Sequence, residues 1–155
     1  MWEIRQATTN DGAIIAEGNR RLAWESEHKT LTPDVVRAGV AAALADPAGR
    51  GPYYLAIENG SVIGQCQVTF EWSDWRNCWI WWLQNVYVRP EARGRGVFRA
   101  LAEHVQRLAM DAGNVWAVRL YVAKENAAAR QVYSRLGFRM EEYDMMNWEM
   151  ARAGS

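Results

Sequence analysis

Apolar residues recur along this chain with two spacings, every second residue in some stretches and every third or fourth in others. The first spacing is typical of a half-buried strand and the second of an amphipathic helix. In chain order they predict a strand at 2–6, helices at 10–24 and 32–45, strands at 53–58, 61–72 and 78–88, a helix at 94–110, a strand at 115–122, a helix at 127–136, and a final strand region, bent or split, at 138–150. This order predicts an α/β (α+β) fold, a mixed sheet with helices on its faces.

The clearest strand signal is the hairpin around Asn59-Gly60. This dipeptide between two apolar runs is the strongest short-range sign of a two-residue β-turn. In the strand that follows, Cys66 and Val68 belong to one face, and Gln67 and Glu71 belong to the other. Cys66 is therefore predicted to pack in the core.

Composition and charge exclude several classes of function. The 155 residues carry 18 basic and 18 acidic side chains, so no net charge attracts nucleic acid or an anionic membrane. No apolar run approaches the roughly 20 residues of a membrane span, and the first residues lack a signal-peptide profile. Neither the cysteines nor the histidines have partners at metal-ligand spacing. We expect one cytoplasmic domain over 1–150 and a disordered tail at 151–155, with no metal, membrane or nucleic-acid partner.

The strongest candidate for chemistry is the turn between the strand that ends at Val88 and the next helix. It carries Arg93-Gly94-Arg95-Gly96 directly before the helix, with Arg99 further on. A helix N-terminus offers unpaired N–H groups and partial positive charge to phosphate, glycines allow close backbone approach, and arginines add donors. The dinucleotide fingerprint is excluded because Arg99 replaces its third glycine, and the P-loop pattern is absent. Alone, the turn predicts an anion site, with an Arg-rich helix start bearing solvated charges as the alternative.

Residues 83–138 resemble the acetyl-CoA-binding core of the GCN5-related N-acetyltransferase (GNAT) superfamily. The superfamily pattern Arg/Gln-x-x-Gly-x-Gly/Ala is matched from Arg93 to Phe98, although Phe98 stands where Gly or Ala is usual. A second superfamily signature is matched by Asn126-Ala-Ala-Ala-Arg130, Tyr133 and Leu136-Gly137-Phe138. The resemblance implies a mixed, mostly antiparallel twisted sheet of six or seven strands flanked by about four helices.

The resemblance also implies which residues hold acetyl-CoA. Backbone groups would meet the pantetheine arm at Val86, Tyr87 and Val88. The pyrophosphate would be held by Arg93, Gly94, Arg95, Gly96, Val97, Phe98 and Arg99. Asn126 would hydrogen-bond the co-substrate, with Ala128 close to the CoA chain.

Tyr133 is the candidate general acid. It shares a predicted helix face with Asn126 and Arg130, and it resembles the tyrosine that in many superfamily members lies beside the cofactor sulfur. The alternative is a half-buried tyrosine whose ring only packs.

The general base is left open by the sequence. Gln84-Asn85 stand where superfamily members often have Glu, and neither side chain takes a proton at neutral pH. Glu71, on the polar face of the neighbouring strand, is the nearest candidate. Glu25 and Glu27, after the first helix, are candidates for the base and for the wall of the acceptor cleft. Water relayed to any of them would serve, and a solvated carboxylate is the alternative for each.

Five tryptophans lie within eleven residues: Trp72, Trp75, Trp79, Trp81 and Trp82. Strand alternation puts Trp79 and Trp81 on one face and Trp82 on the other, so they cannot all line one cleft. We expect most of them in the core or in a homodimer interface, with Trp72 and Trp75 near the loop in contact with substrate.

The leading hypothesis is therefore an enzyme that acetylates a primary amine, most simply a small molecule, by direct transfer from acetyl-CoA. A protein acetyltransferase acting on lysines or N-termini is an alternative with the same donor site. A CoA-binding sensor without turnover is the alternative from another class, favoured by the missing strand glutamate and opposed by Tyr133.

Overall fold

The computed structural model describes residues 1–151, which form a five-stranded sheet with helices on both faces. The strands are β1 (Glu3–Gln6), β2 (Tyr53–Glu58), β3 (Ser61–Ser73), β4 (Cys78–Val88) and β5 (Val115–Leu120). The helices are α1 (Gly12–Glu27), α2 (Pro33–Ala45), α3 (Pro47–Arg50), α4 (Val97–Ala112) and α5 (Ala127–Arg135), with single 3-10 turns at Thr9–Asp11 and Pro90–Ala92. All but Ala151 of the predicted tail at 151–155 lies outside the described residues.

The strands lie in sequence order, with antiparallel pairing from β1 to β4 and parallel pairing of β4 with β5. The crossover that a parallel pair requires is made by the turn after β4 and by α4. The predicted mixed, mostly antiparallel α/β fold is confirmed. The predicted count of six or seven strands is wrong, since the described residues form five. They form five α-helices rather than about four, the additional one being the four-residue α3.

The prediction of a final strand at 138–150 is also wrong, and it accounts for the difference in strand count. Residues 139–151 pair with no strand of the described sheet, and their large apolar side chains are exposed. Alternating apolar residues favour a strand only where a neighbouring strand supplies hydrogen bonds and a surface to cover. The segment has no such neighbour among residues 1–151.

The core has two parts, one on each face of the sheet. On one face α4 packs on β3 and β4 through Val68, Leu83, Val97, Leu101 and Val105. On the other face α1 and α2 cover β2 through Ile15, Val40, Leu44, Tyr53 and Leu55. Cys66 is fully buried in the first part, as its strand position predicted. None of the helices among residues 1–151 is both long enough and apolar enough to cross a membrane.

Candidate active site

The candidate site lies next to a β-bulge near the C-terminal end of β4. Gln67 of β3 pairs with Gln84, but Gln65 pairs with Tyr87, so β4 carries one residue more than β3 between these pairs. Asn85, within this interval, has a φ of 51°, a left-handed conformation that asparagine tolerates better than most residues. A bulge bends its strand and changes the direction of the residues that follow. Here those residues are Val86 to Val88.

A buried polar network holds the bulge against α1. The Asn85 amide donates to the Tyr53 hydroxyl at 3.2 Å and to the Gln67 side-chain oxygen at 3.0 Å. The Asn19 amide donates to the same hydroxyl at 2.9 Å and accepts from Gln65 at 2.9 Å. Burial raises the pKa of Tyr53 although both hydrogen bonds favour its ionised form. The sequence analysis missed this network because its members are distant in the chain, although the two glutamines on the polar face of β3 were a visible sign of it.

Beyond the bulge, one edge of β4 has no partner strand. The pairing with β5 ends at Leu83 opposite Leu120, whereas β4 continues to Val88. Alternate backbone N–H and C=O groups of residues 84–88 therefore face the gap that opens beyond the end of β5. Such groups are available to an extended ligand that lies along the strand edge.

A cleft of about 320 Å³ opens at this gap. It is lined by α1, the end of β4, the turn before α4 and the start of α5: Leu22, Glu25, Ser26, Val86, Tyr87, Val88, Ala92, Arg93, Gly94, Gly96, Val97, Phe98 and Asn126. The structure thus brings together most of the residues predicted to hold the co-substrate and one predicted to line the acceptor side. Arg95, Arg99 and Ala128 lie outside this lining.

Both glycines of the turn before α4 adopt a left-handed backbone conformation. Gly94 and Gly96 have φ values of 74° and 89°, in the region that favours glycine. A Cβ atom on either would meet no atom within 4 Å, so glycine is required here for conformation, and the space beside the turn is open. No side chain caps the first N–H groups of α4. An uncapped helix start next to an open cleft suits a phosphate group.

Arg93 joins this turn to β4 and α1. Its Nε donates to the Val88 carbonyl at 2.9 Å, and its Nη2 lies 2.5 Å from the Glu25 carboxylate. The two charged groups are partly exposed, so a multiply charged phosphate can compete for the guanidinium. Glu25 is the one carboxylate among the cleft-lining residues in the described part of the chain.

Arg95 and Arg99 also have carboxylate partners. Arg95 contacts both oxygens of Glu58 and holds the pKa of that carboxyl below its usual value. Arg99 contacts Glu103 one turn further along α4, at 2.8 Å. Both guanidinium groups are on the surface. Their predicted part in binding pyrophosphate stays a prediction.

Tyr133 lies directly behind the cleft wall. Its ring centroid is 4.9 Å from that of Phe98, which lines the cleft, and 5.4 Å from that of Phe138. Burial raises the pKa of Tyr133 well above its usual value, so the hydroxyl is protonated at neutral pH. The Asn126 side-chain oxygen accepts from the Ala129 N–H at 3.1 Å and caps α5, which leaves its amide nitrogen for a ligand.

The other predicted residues lie away from the cleft. Glu71 accepts a hydrogen bond from Trp82 Nε1 at 3.0 Å and is 3.9 Å from Arg119. It pairs in register with Ile80, five residues before Asn85, or roughly 17 Å along the strand. The geometry therefore gives no support to direct proton transfer by Glu71, and it leaves only a role through water.

Glu27, Trp72 and Trp75 are likewise not brought to the cleft. Glu27 is exposed and pairs with Lys29 at 3.3 Å. Trp72 pairs with Trp79, and Trp75 occupies the turn before β4, at the opposite end of that strand from the cleft. None of the three side chains is therefore positioned to contact a ligand bound in this cleft.

The tryptophans divide between the two faces of the sheet as alternation predicts. Trp81 packs on the core beneath α4, and Trp79 contacts Trp72 and Phe70 on that side. Trp82 is on the other face and stacks on Tyr121, with ring centroids 4.7 Å apart. Among residues 1–151, no group of three or more His, Cys, Asp or Glu side chains could hold a metal ion.

The sheet is mixed, a glycine turn joins β4 to α4, and a cleft opens at the end of the parallel pair. This is the architecture of acetyltransferases that use acetyl-CoA. The sequence model of the acetyltransferase (GNAT) family matches residues 16–138 of this chain. The chain belongs to this family, and the superfamily resemblance seen in the sequence is confirmed.

Named relatives and solved structures agree with this assignment. The chain is 30% identical to the thialysine N-epsilon-acetyltransferase of Bos taurus, over 86% of this chain and 82% of that protein. It is 32% identical to the mycothiol acetyltransferase of Tsukamurella paurometabola over 86% of this chain. The chain spans only about half of that protein (46%). The crystal structure of a possible acetyltransferase from Clostridium difficile 630 is 38% identical, with a TM-score of 0.91 over 98% of this chain and 99% of that chain. A predicted acetyltransferase from Clostridium acetobutylicum, solved with acetyl-CoA, is 19% identical with a TM-score of 0.78 over 95% and 96% of the two chains, and shows the common fold.

Proposed function

We propose that this enzyme transfers an acetyl group from acetyl-CoA directly to the primary amine of a small molecule. The observation that carries the proposal is the cleft at the end of β4, which combines an unpaired strand edge with an uncapped helix start. The first suits the amide-containing pantetheine arm and the second suits the pyrophosphate.

The co-substrate supplies an activated thioester carbonyl, and the protein binds and orients it. The turn from Arg93 to Val97 holds the phosphates through helix N–H groups and the guanidinium of Arg93. Val86 and Val88 offer backbone groups along the open edge of β4. A free backbone N–H on this edge is a preorganised donor for a carbonyl oxygen that becomes negative during acyl transfer.

Two side chains move protons in this proposal. Tyr133 is protonated at neutral pH and donates its hydroxyl hydrogen to the leaving sulfur. Glu25 faces the cleft and takes a proton from the bound substrate ammonium, directly or through water, so that the resulting neutral amine attacks the thioester carbonyl. Its carboxylate lies 2.5 Å from Arg93 Nη2, and a phosphate that binds Arg93 competes for this contact.

The relatives support a small acceptor. The bovine relative is named for thialysine and the Tsukamurella relative for mycothiol, both of them small molecules. A protein lysine or N-terminus is the second acceptor class, and the same assay distinguishes it.

The test is release of free CoA thiol from acetyl-CoA in the presence of single acceptors: thialysine, lysine, polyamines, aminoglycosides and a lysine-containing peptide. We expect saturable release with at least one small amine, and an acetylated product of the correct mass. Release with the peptide alone would assign the protein-acetyltransferase function. Tight acetyl-CoA binding without release from any acceptor would indicate a sensor, and absence of binding would refute the donor site itself.

A further inference from the structure

Four side chains form a cluster on the face of the sheet opposite α4, beside the end of β5. This β5-end cluster consists of Glu71, Trp82, Arg119 and Tyr121. Glu71 Oε1 accepts from Trp82 Nε1 at 3.0 Å, and the Trp82 ring stacks on Tyr121 with an interplanar angle of 24°. Arg119 pairs in register with Trp82, and its Nη1 lies 3.9 Å from Glu71 Oε2. An anion, a cation and an aromatic surface therefore meet in one small area.

The two charges of the cluster are close to each other without being bonded. A separation of 3.9 Å is longer than a hydrogen bond, and the Arg119 guanidinium makes no hydrogen bond to another group among residues 1–151. Both side chains are accessible, with exposed fractions of 30% for Arg119 and 47% for Glu71. A guanidinium binds a carboxylate through two parallel hydrogen bonds, and Glu71 Oε2 is free to accept from an ammonium group. The pair suits a ligand that carries both charges.

The cluster lies at the level where the acyl group of a bound donor ends. With its phosphates at the turn before α4, the pantetheine arm runs along the open edge of β4 from Val88 back towards residue 84. Its thioester then reaches the level of Leu83 and Leu120, where the pairing of β4 with β5 stops. Arg119 and Tyr121 are the chain neighbours of Leu120. The cluster is therefore next to the place where the acceptor nitrogen must arrive.

A row of polar side chains connects the β-bulge with the cluster along the same face of the sheet. Asn85 donates to Gln67, and Gln84 of the next register position donates to the Thr69 hydroxyl at 2.5 Å. Thr69 pairs in register with Trp82. The interval from Asn85 to Trp82 is three residues, or roughly 10 Å along the strand. An acceptor that reaches from the thioester to the cluster must span this interval.

We propose that the acceptor is an α-amino acid whose side chain ends in a primary amine, and that the β5-end cluster binds its head group. Arg119 binds the carboxylate, Glu71 binds the α-ammonium, and the methylene stem lies against the rings of Trp82 and Tyr121. In lysine about 7 Å separate the carboxylate carbon from the side-chain nitrogen, and a contact of about 3 Å at each end extends this to about 13 Å. The span of roughly 10 Å is therefore within its reach.

This inference rests on the proposed function and names its substrate class. The side-chain ammonium gives up one proton, and its nitrogen lone pair then forms the amide bond while the C–S bond of the thioester breaks. The leaving sulfur takes a proton from Tyr133, which the second nitrogen proton replaces. Because Glu71 holds the α-ammonium charged and away from the thioester, the product is expected to carry the acetyl group on the side-chain nitrogen. Fragmentation of the product in a mass spectrometer identifies the acetylated nitrogen.

Three acceptors of matched length test the two contacts separately: lysine, cadaverine, which lacks the carboxylate, and 6-aminohexanoate, which lacks the α-ammonium. Release of free CoA thiol gives kcat/KM for each. We expect the native enzyme to prefer lysine over each of the other two by at least tenfold. Arg119→Gln should lower kcat/KM at least tenfold for lysine and 6-aminohexanoate, mainly through KM, and should not lower it for cadaverine. Glu71→Gln, which still accepts from Trp82, should lower it for lysine and cadaverine but not for 6-aminohexanoate.

Arg76→Gln is the matched control. Arg76 lies on the ring of Trp116, which strand alternation puts on the opposite face of β5 from Arg119, so all three rates should stay unchanged. Calorimetric titration with CoA and circular dichroism confirm that each variant keeps its donor site and fold. Equal losses for the three acceptors in Arg119→Gln, native rates for cadaverine as high as for lysine, or release with a lysine-containing peptide alone would overturn the inference while the acetyltransferase function stands. Absence of thiol release with every amine would refute the proposed function, and this inference with it.

Discussion

Gly18 of α1 provides the sharpest test of how the helix is seated on the sheet. A Cβ atom at this position would be 2.2 Å from Oε1 and 2.7 Å from Cδ of Gln65. Gln65 is nearly fully buried and donates to Asn19 at 2.9 Å and to the Ile15 carbonyl at 3.4 Å. The amide therefore cannot move away without giving up its hydrogen bonds.

The change in the free energy of unfolding caused by Gly18→Ala is the difference between opposing effects. Alanine is favoured over glycine in a helix by about 1 kcal/mol. Forcing an extra methyl into a filled core costs about 1–3 kcal/mol. Leaving buried amide groups unpaired costs about 1–3 kcal/mol more. We expect the free energy of unfolding to fall by about 3 kcal/mol.

Gly39→Ala is the matched control, because Gly39 is also inside a helix but has no atom within 4 Å of an added Cβ. This change is expected to raise the free energy of unfolding by about 0.5–1 kcal/mol. Urea denaturation of both variants measures the contrast. Adding Gln65→Ala to Gly18→Ala removes the steric conflict, so the double variant should lose less stability than the two single changes predict together. A Gly18→Ala protein as stable as the Gly39→Ala protein would refute the reasoning.

Three further predictions concern the turn, the general acid and acid stability. Gly96 has a φ of 89°, so Gly96→Ala introduces about 1–2 kcal/mol of backbone strain, which we expect to be relieved by movement of the turn. The CoA dissociation constant measured by calorimetry should therefore rise about tenfold, and unchanged affinity would contradict this. Tyr133→Phe should lower kcat by about 10²-fold with the KM for acetyl-CoA nearly constant, and an unchanged kcat would exclude proton donation by this hydroxyl. The Arg5 guanidinium lowers the pKa of Asp11 from 3.8 to about 2, so this stabilisation is fully present above pH 4 and is lost as pH falls through 2. Solvent screening at the surface reduces the roughly 2 kcal/mol that the pKa shift alone would give, so between pH 5 and 2 urea denaturation should show a loss of about 1 kcal/mol more for the native chain than for Asp11→Asn, and equal losses would rule out the pair.

The β2–β3 hairpin and the glycine turn before α4 were predictable because their sequence signals are local. Asn59-Gly60 fixes the turn between β2 and β3, and the predicted bounds of β4 agree with the observed Cys78–Val88. The turn from Arg93 to Gly96 needs glycines for its backbone conformation, which a sequence displays directly.

The polar network and the conformation of residues 138–150 were not predictable in the same way. Tyr53, Asn19 and Asn85 meet only after the sheet and α1 have packed, and no periodicity marks a hydrogen bond between residues more than thirty positions apart. Residues 138–150 were predicted as a strand from alternation alone. Alternation reports the tendency of a segment to pair but not whether a partner strand lies in the same chain.

Under the proposed function, the contact between Arg93 and Glu25 has a thermodynamic consequence for how strongly the two substrates bind together. A phosphate that takes the guanidinium leaves the Glu25 carboxylate without its counter-ion, facing the cleft. A cationic amine then meets a negative charge that was neutralised before the donor arrived. Under the proposed function, donor and acceptor are therefore expected to be positively coupled, so that each raises the affinity of the other by the same factor, although their own contacts are made by different residues.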